Sequence, residues 1–332
     1  MKQNRLFLIA AMATATFTLS SCINDEYDPS IVRLAVNGLG SDGLTRAAET
    51  DNLQNTQFMS GVGIRVEAYE TGATTSYSQA TYTTTNTAGS VAGSITLSDG
   101  GSPIYYPANK NVDICAFYPS TVVSTPTPTA TFTVNADQTS TNVANYRSSD
   151  LMYATKATNL AKGSTHGLTF KHALSQVLVN LIPGDGLLIG DLTSKVTSVK
   201  INSTQPTANL TFAVDGSSVP TGVVTAAATG ATSDIEIKGG VNTAGTQTSN
   251  IGIIVPQTVA ASTTLFTITY ITTAPSTTTQ YTWDTTAAIT FEPGKQYVFN
   301  FTLNLGGLVL ESIAITDWLA GTGSPFADNV TL

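Results

Sequence analysis

Apolar and polar or small residues alternate with a period of two along much of the chain, and this pattern predicts β-strands. Clusters of Gly, Asp, Ser and Pro separate the alternating runs and predict turns. No long stretch has the 3.6-residue period of a helix. The apolar positions of the alternating runs are Val62/Ile64/Val66/Ala68, Val177/Val179/Leu181, Leu210/Phe212/Val214, Ile251/Ile253/Val255, Phe266/Ile268/Tyr270, Tyr281/Trp283, Tyr297/Phe299/Phe301/Leu303 and Ile313/Ile315.

Many short strands separated by turns predict an all-β chain of antiparallel β-sandwiches. The least strand-like region in the middle of the chain is 145–164. We place a domain boundary at its end, which gives two β-sandwiches in tandem over residues 47–164 and 165–332. Residues 266–270 and 281–283 flank a Pro-containing loop and predict a hairpin.

The composition supports the prediction of β-strands and argues against one class of partner, nucleic acids. Of 332 residues 57 are Thr, a residue type that favours strands. Charged residues are few, with 14 Lys+Arg against 22 Asp+Glu and a net charge of −8. Nucleic-acid binding needs clustered cations that neutralise phosphates, so this acidic balance argues against a nucleic-acid partner.

The N-terminal residues have the pattern of a lipoprotein signal peptide. Lys2 and Arg5 precede an uncharged, largely apolar run over residues 6–19, which is shorter than the ~20 residues needed to span a bilayer. The run closes on Ser20-Ser21-Cys22, which resembles a bacterial lipobox. We therefore predict a signal peptide over 1–22 and acylation of Cys22, which would anchor the chain to a membrane.

Chemistry-bearing motifs are absent from the sequence. Cys115 is the second of two cysteines, and we expect it to be a buried, unpaired thiol once Cys22 is acylated. His166 and His172 lie six residues apart on one extended segment, without the further Cys or His ligands that a zinc or copper site needs. We find no catalytic elbow, phosphate loop or dinucleotide fingerprint. The sequence therefore predicts no catalytic residues, no metal, no cofactor and no enzyme.

A short strand and a protease-accessible segment lie between Cys22 and the first long strand. Val32, Leu34 and Val36 share one face of residues 31–39. The small-residue stretch 41–48 follows and contains Arg46, and such stretches are preferred sites of proteolysis. A cut between Arg46 and Ala47 would separate residues 23–46, a propeptide with a removable strand, from the rest of the chain.

Short motifs follow one another in a fixed order along nearly the whole chain. They occupy residues 20–22, 45–47, 61–64, 68–69, 113–119, 150–154, 168–174, 255–257, 293–297 and 313–318. Asp25, Glu26 and Asp28, just behind Cys22, also resemble the export tag that sends Bacteroidales lipoproteins to the outer face of the outer membrane, although a flexible tether would have the same composition. The ordered series of motifs resembles the fimbrillin family of Bacteroidales type V pili.

This resemblance implies two transthyretin-like sandwiches that are exported as a lipoprotein and built into a surface fimbrium, as stalk or tip, supporting adhesion or biofilm formation. A trypsin-like, Arg-specific protease would cut after Arg46, and loss of the strand would open a groove that accepts a strand from the next subunit. The partners would thus be other fimbrial subunits. We expect the donor to lie within about 308–332; its apolar residues are Ile313, Ile315, Trp318, Phe326, Val330 and Leu332.

The sequence is also consistent with other roles for the C-terminal strand and for the whole protein. Residues 313–318 could instead complete the chain's own sandwich. An uncleaved, lipid-anchored subunit of the same family would hold a fimbrium to the membrane. A glycan-binding surface lipoprotein would need exposed aromatic rings, for which Tyr105-Tyr106 and Tyr281/Trp283 are candidates. Asp284-Thr285-Thr286 resembles an O-glycosylation acceptor, a match that is common by chance in so Thr-rich a chain.

Overall fold

The computed structural model describes residues 30–39, 61–85, 93–98, 100–122, 129–242, 244–272, 276–318 and 329–330. The predicted signal peptide, Cys22, the cleavage site Arg46–Ala47, Phe326 and Leu332 lie outside the described residues. Within the described part of the chain, no helix is long and apolar enough to cross a membrane.

The prediction of an all-β fold is confirmed. The described residues form 22 strands and two short helices, α1 (Val143–Ser148) and α2 (Ile189–Lys195). The strands are, in chain order, β1 (Arg33–Leu39), β2 (Gly63–Glu70), β3 (Ser76–Thr85), β4 (Gly93–Leu97), β5 (Val112–Tyr118), β6 (Thr129–Thr133), β7 (Met152–Leu160), β8 (Thr165–His172), β9 (Ser175–Pro183), β10 (Val196–Thr204), β11 (Thr207–Val214), β12 (Pro220–Thr229), β13 (Ser233–Glu236), β14 (Gly240–Val241), β15 (Thr248–Ile254), β16 (Gln257–Val259), β17 (Thr264–Ile271), β18 (Thr278–Asp284), β19 (Ile289–Phe291), β20 (Lys295–Asn304), β21 (Gly307–Asp317) and β22 (Asn329–Val330).

The first part of the chain closes into a barrel with strand order β1-β4-β3-β2-β5-β7-β8. The alternation predicted for β2 is confirmed, because Ile64, Val66 and Ala68 point into the barrel core. Glu67 and Tyr69, on the opposite face of β2, are buried as well, and the Tyr69 hydroxyl donates to a Glu67 carboxylate oxygen at 2.9 Å. Both faces of β2 are therefore covered, which a period-two pattern alone does not predict.

The second part of the chain forms a larger core between several sheets. A six-stranded sheet has the order β14-β15-β9-β20-β21-β22, and a four-stranded sheet has the order β13-β10-β17-β18. Two smaller sheets are β12-β11-β6 and β16-β19. The alternating residues of β9 and β20 point into this core, and β17 and β18 form the predicted antiparallel hairpin.

The predicted boundary between residues 164 and 165 separates two strands that pair with each other in the barrel. Met152 on β7 is opposite His172 on β8, and β8 also pairs with β1. Conversely, β6 pairs with β11, so it belongs to the sheets of the second core. Residues 145–164 include β7, which directs few apolar side chains inward, so its sequence lacks a clear period-two pattern. The pairing of β7 with β5 also has two register shifts.

The barrel and the three-stranded sheet pack closely against one another. The rings of Phe117 on β5 and Phe212 on β11 meet edge to face, with centroids 5.4 Å apart. At Gly222 the backbone of β12 crosses β7, and a Cβ there would lie 2.7 Å from the Ala154 carbonyl oxygen and the Lys156 nitrogen. A glycine with φ +78° is therefore needed for this approach.

The buried thiol of Cys115 gives a direct chemical test of this packing. The residue is unpaired and buried, as expected from the sequence, and burial together with the Glu67 carboxylate raises the pKa of its thiol to about 12. Because the thiolate is the nucleophile, a chain beginning at Ile23, which lacks Cys22 and keeps β1, should resist iodoacetamide at about pH 8 and react after unfolding in urea. Intact mass follows the labelling, and equal rates in the folded and unfolded chains would contradict the packing.

Candidate assembly site

The strand β1 closes the barrel between β4 and β8. It runs parallel to β8 from Arg33, opposite Thr165, to Leu39, opposite Phe170. On its other side it pairs antiparallel with β4 only at Ala35 and Val36. Most of its backbone pairing is thus with a single neighbour, β8.

The predicted apolar face of β1 points into the barrel. Val32, Leu34 and Val36 are 1%, 8% and 2% exposed and belong to the barrel core. Burying a side chain of this kind stabilises a fold by about 1.5–3 kcal/mol. Without β1, the barrel would lose three core side chains and expose unpaired backbone on β4 and β8.

Residues just before β1 are held by the segment 104–106. The Val32 N–H donates to the Ile104 carbonyl at 2.8 Å, and the Tyr106 N–H donates to the Ser30 carbonyl at 2.7 Å. The Tyr106 hydroxyl lies 2.9 Å from His166 Nε2 and 2.8 Å from the Ala161 carbonyl oxygen. The residues just before β1 are therefore paired with segment 104–106, which itself contacts Ala161 and His166.

The C-terminal candidate residues fall into two groups. Ile313 and Trp318 are buried and Ile315 is 38% exposed, and all three lie in or directly after β21, which pairs with β20 from Gly307 to Asp317. Val330 lies in the two-residue strand β22 and is opposite Ile313 of β21. The first three residues thus belong to the protein's own sheet, whereas the described pairing of Val330 is with β21 at the edge of that sheet.

His172 is part of a buried cluster that sequence reasoning did not find. Its Nδ1 lies 2.8 Å from Asp150 Oδ1, and its imidazole stacks on the Trp318 indole with ring centroids 3.8 Å apart and an interplanar angle of 8°. Burial raises the pKa of Asp150, and the neighbouring His172 imidazole opposes this rise. Three motif segments, 150–154, 168–174 and 313–318, therefore meet in this cluster. The sequence does not indicate the contact between Asp150 and His172, because each motif segment has the pattern of an ordinary apolar strand or strand end.

The residues that the structure describes give little support for metal or glycan binding. Within the described ranges, no group of three or more His, Cys, Asp or Glu side chains could hold a metal ion. Tyr105 is 48% exposed, but Tyr106 is buried, and the Trp283 ring packs against Phe266, Phe299 and Phe301. Most of the candidate platform aromatics therefore contribute to the core.

The candidate glycosylation residue Thr285 is also buried. Its hydroxyl donates to the Ala260 carbonyl at 2.6 Å and accepts the Thr263 N–H at 3.1 Å. The folded protein therefore does not present this hydroxyl to solvent.

The chain matches a known protein family in sequence and solved proteins in fold. The family model described as fimbrillin-like matches residues 45–318, most of the chain. The chain belongs to the fimbrillin-like family. The match begins at Thr45, beside the candidate cleavage residue Arg46, and ends at Trp318, where the buried cluster lies. A comparison with curated proteins finds no match.

Solved structures similar to this fimbrillin-like chain include proteins from Bacteroides and Porphyromonas. A candidate cell adhesion protein from Bacteroides uniformis is 21% identical, with a TM-score of 0.57 over 87% of this chain and 97% of that chain. A second one, from Bacteroides ovatus, is 16% identical, with a TM-score of 0.56 over 89% of this chain and 99% of that chain. The tip fimbrial protein Mfa3 from Porphyromonas gingivalis, with a C-terminal truncation, is 8% identical, with a TM-score of 0.44 over 86% of this chain and 99% of that chain. At these identities the first two show a shared fold.

Proposed function

We propose that the protein is a structural subunit of a surface fimbrium, exported as a lipoprotein acylated at Cys22. After cleavage between Arg46 and Ala47, it polymerises by exchanging β1 for a strand of another subunit. Membership of the fimbrillin-like family supports the fimbrial role. The observation that carries the exchange is the position of β1, which is a core strand of the barrel yet precedes the candidate cleavage site in the sequence.

Cleavage after Arg46 would leave β1 attached to the body by non-covalent contacts alone. These contacts include the backbone pairs with β8 and β4, the hydrogen bonds with segment 104–106 and the burial of three aliphatic side chains. A strand with equivalent side chains from another subunit would restore the same pairing and burial, which is the physics of β-strand addition. Because one copy donates and the next accepts, the contact is head-to-tail and extends into an open filament.

The pairing of the C-terminal strands favours residues 319–332 as the donor over 308–318. Withdrawing β21 would break its long ladder with β20 and expose Ile313 and Trp318. Of residues 319–332, the structure describes Asn329 and Val330 alone, and these two form the described pairs with β21. Residues 330–332 also repeat the spacing of β1, since Val330 and Leu332 are separated by one residue as Val32 and Leu34 are. This segment therefore combines a short described pairing with a suitable side-chain pattern.

A peptide competitor tests the groove directly. A synthetic peptide of residues 30–39, added in excess to chains cut after Arg46 and depleted of β1, should block the formation of SDS-resistant ladders. The reason is that the peptide refills the groove with its own three aliphatic side chains. A matched peptide with Val32, Leu34 and Val36 replaced by Ser should have no effect. Ladders that are insensitive to both peptides would contradict strand exchange at this groove.

An uncleaved, lipid-anchored subunit is the alternative within the same family. It would keep β1 in place permanently and could not accept a donor strand there. The state of the N-terminus on the cell surface separates the two functions.

A further inference from the structure

The Asp150–His172 pair is costly for a purely structural contact. Both side chains are completely buried, and neither Asp150 Oδ2 nor His172 Nε2 has a hydrogen-bond partner among the residues that the structure describes. Unpartnered buried polar atoms destabilise a fold, and well-packed apolar residues often replace a buried ion pair without loss of stability. What the pair does provide is orientation, because the Asp150 carboxylate fixes the imidazole ring on which Trp318 stacks.

The cluster also has a particular place in the fold. His172 is the last residue of β8, the strand that holds β1 along residues 165–170. Trp318 directly follows β21 and precedes residues 319–328. The Trp318 N–H donates to the Gly294 carbonyl at 2.9 Å, and the Gly294 N–H donates to the Leu174 carbonyl at 2.8 Å. Trp318 is thus attached to the end of β8 by stacking on His172, and through Gly294 to Leu174, which lies between β8 and β9.

We propose that Asp150 and His172 form a latch that holds Trp318 and thereby fixes the point at which the C-terminal segment leaves the body. The role of that segment as donor rests on the proposed function; the latch itself is a property of the single subunit. In a filament, tension applied to the donor segment would reach Trp318 first and pass through His172 to β8, whose edge accepts the neighbour's strand. Asp150 and His172 are positioning residues in this scheme.

Hydrogen exchange in the uncut chain tests the latch. In Asp150→Asn the amides of residues 315–318 should exchange roughly tenfold faster, because a neutral amide holds the imidazole by a weaker hydrogen bond than a carboxylate does, while those of β9 stay unchanged. Asp234→Asn is the matched control, since Asp234 forms an exposed ion pair with Lys200 at 3.7 Å. Unchanged exchange at 315–318 in Asp150→Asn, or an equal increase throughout the chain, would overturn the proposal.

A double variant and a measurement on the natural chain test the latch even if Asp150→Asn fails to fold. Asp150→Leu with His172→Phe keeps an aromatic ring beneath Trp318 and removes the buried polar pair, so slow exchange at 315–318 should return. In the natural chain, nitrogen NMR should show a proton on His172 Nδ1, as donation to the Asp150 carboxylate requires. A neutral imidazole protonated at Nε2 instead would contradict the latch.

Polymer assays separate the latch from the proposed function. Ladders of Asp150→Asn chains cut after Arg46 should form but dissociate in SDS at a lower temperature than those of the natural chain. If neither chain forms ladders, the proposed polymerisation by strand exchange is wrong. The hydrogen-exchange measurement on the monomer would still test the latch.

Discussion

Chains cut after Arg46 that lack residues 319–332 should remain monomeric in SDS gels, whereas complete cut chains form SDS-resistant ladders. The deletion removes the proposed donor strand but leaves β21 paired with β20 and Trp318 stacked on His172. The circular dichroism spectrum and the cooperative thermal transition of the monomer should therefore be retained. Ladders of unchanged length would show that the donor lies elsewhere.

Point substitutions sharpen this deletion experiment. Val330→Ser combined with Leu332→Ser should abolish the ladders as the deletion does, because the groove around β1 accepts aliphatic side chains at alternate positions. Thr331→Ser is the matched control, since residue 331 faces away from the groove when its two neighbours face in. Loss of ladders in this control would mean that the segment acts by some means other than filling the groove.

Blocking cleavage should have an equally large effect. Arg46→Gln should keep the propeptide attached and abolish polymerisation, because β1 then stays covalently linked and continues to occupy its place between β4 and β8. Size-exclusion chromatography and SDS gels of protein from the cell surface measure the outcome. Polymers of normal length in Arg46→Gln would contradict a requirement for removal of β1.

A conservative substitution at the same position tests the protease. Arg46→Lys keeps the charge, so an Arg-specific protease should leave the chain uncut while trypsin added to purified protein should cut it. Thr45→Ala, which keeps Arg46, should be processed normally. If Arg46→Lys is processed in cells, the enzyme accepts either basic residue.

The sequence predicted the β class and the faces of most strands because alternation reports burial on one side of a strand directly. Ile64 and Val66 on β2, and Val177 and Val179 on β9, point inward as expected. Period-two alternation did not predict burial where both faces of a strand are covered, and it did not predict a strand where few of the inward side chains are large. Glu67 is buried because the second face of β2 is covered, and β7 was missed because Ala154 is a small inward residue.

The strand pairing that builds the candidate site could not be predicted from sequence. Alternation in residues 31–39 predicts a strand, yet nothing local indicates that its main neighbour is β8, more than a hundred residues away. Pairing over such separations depends on the packing of the whole barrel. The Asp150–His172–Trp318 cluster was missed for the same reason, since its three members lie on separate segments and two of them are residue types common in ordinary loops and strands.

The mature N-terminus of protein purified from the cell surface tests the central claim most directly. Intact-mass measurement should give a chain that begins at Ala47, without acyl groups, in the polymerised fraction. A chain that still begins at an acylated Cys22 in that fraction would contradict cleavage-dependent strand exchange and identify the protein as a lipid-anchored subunit.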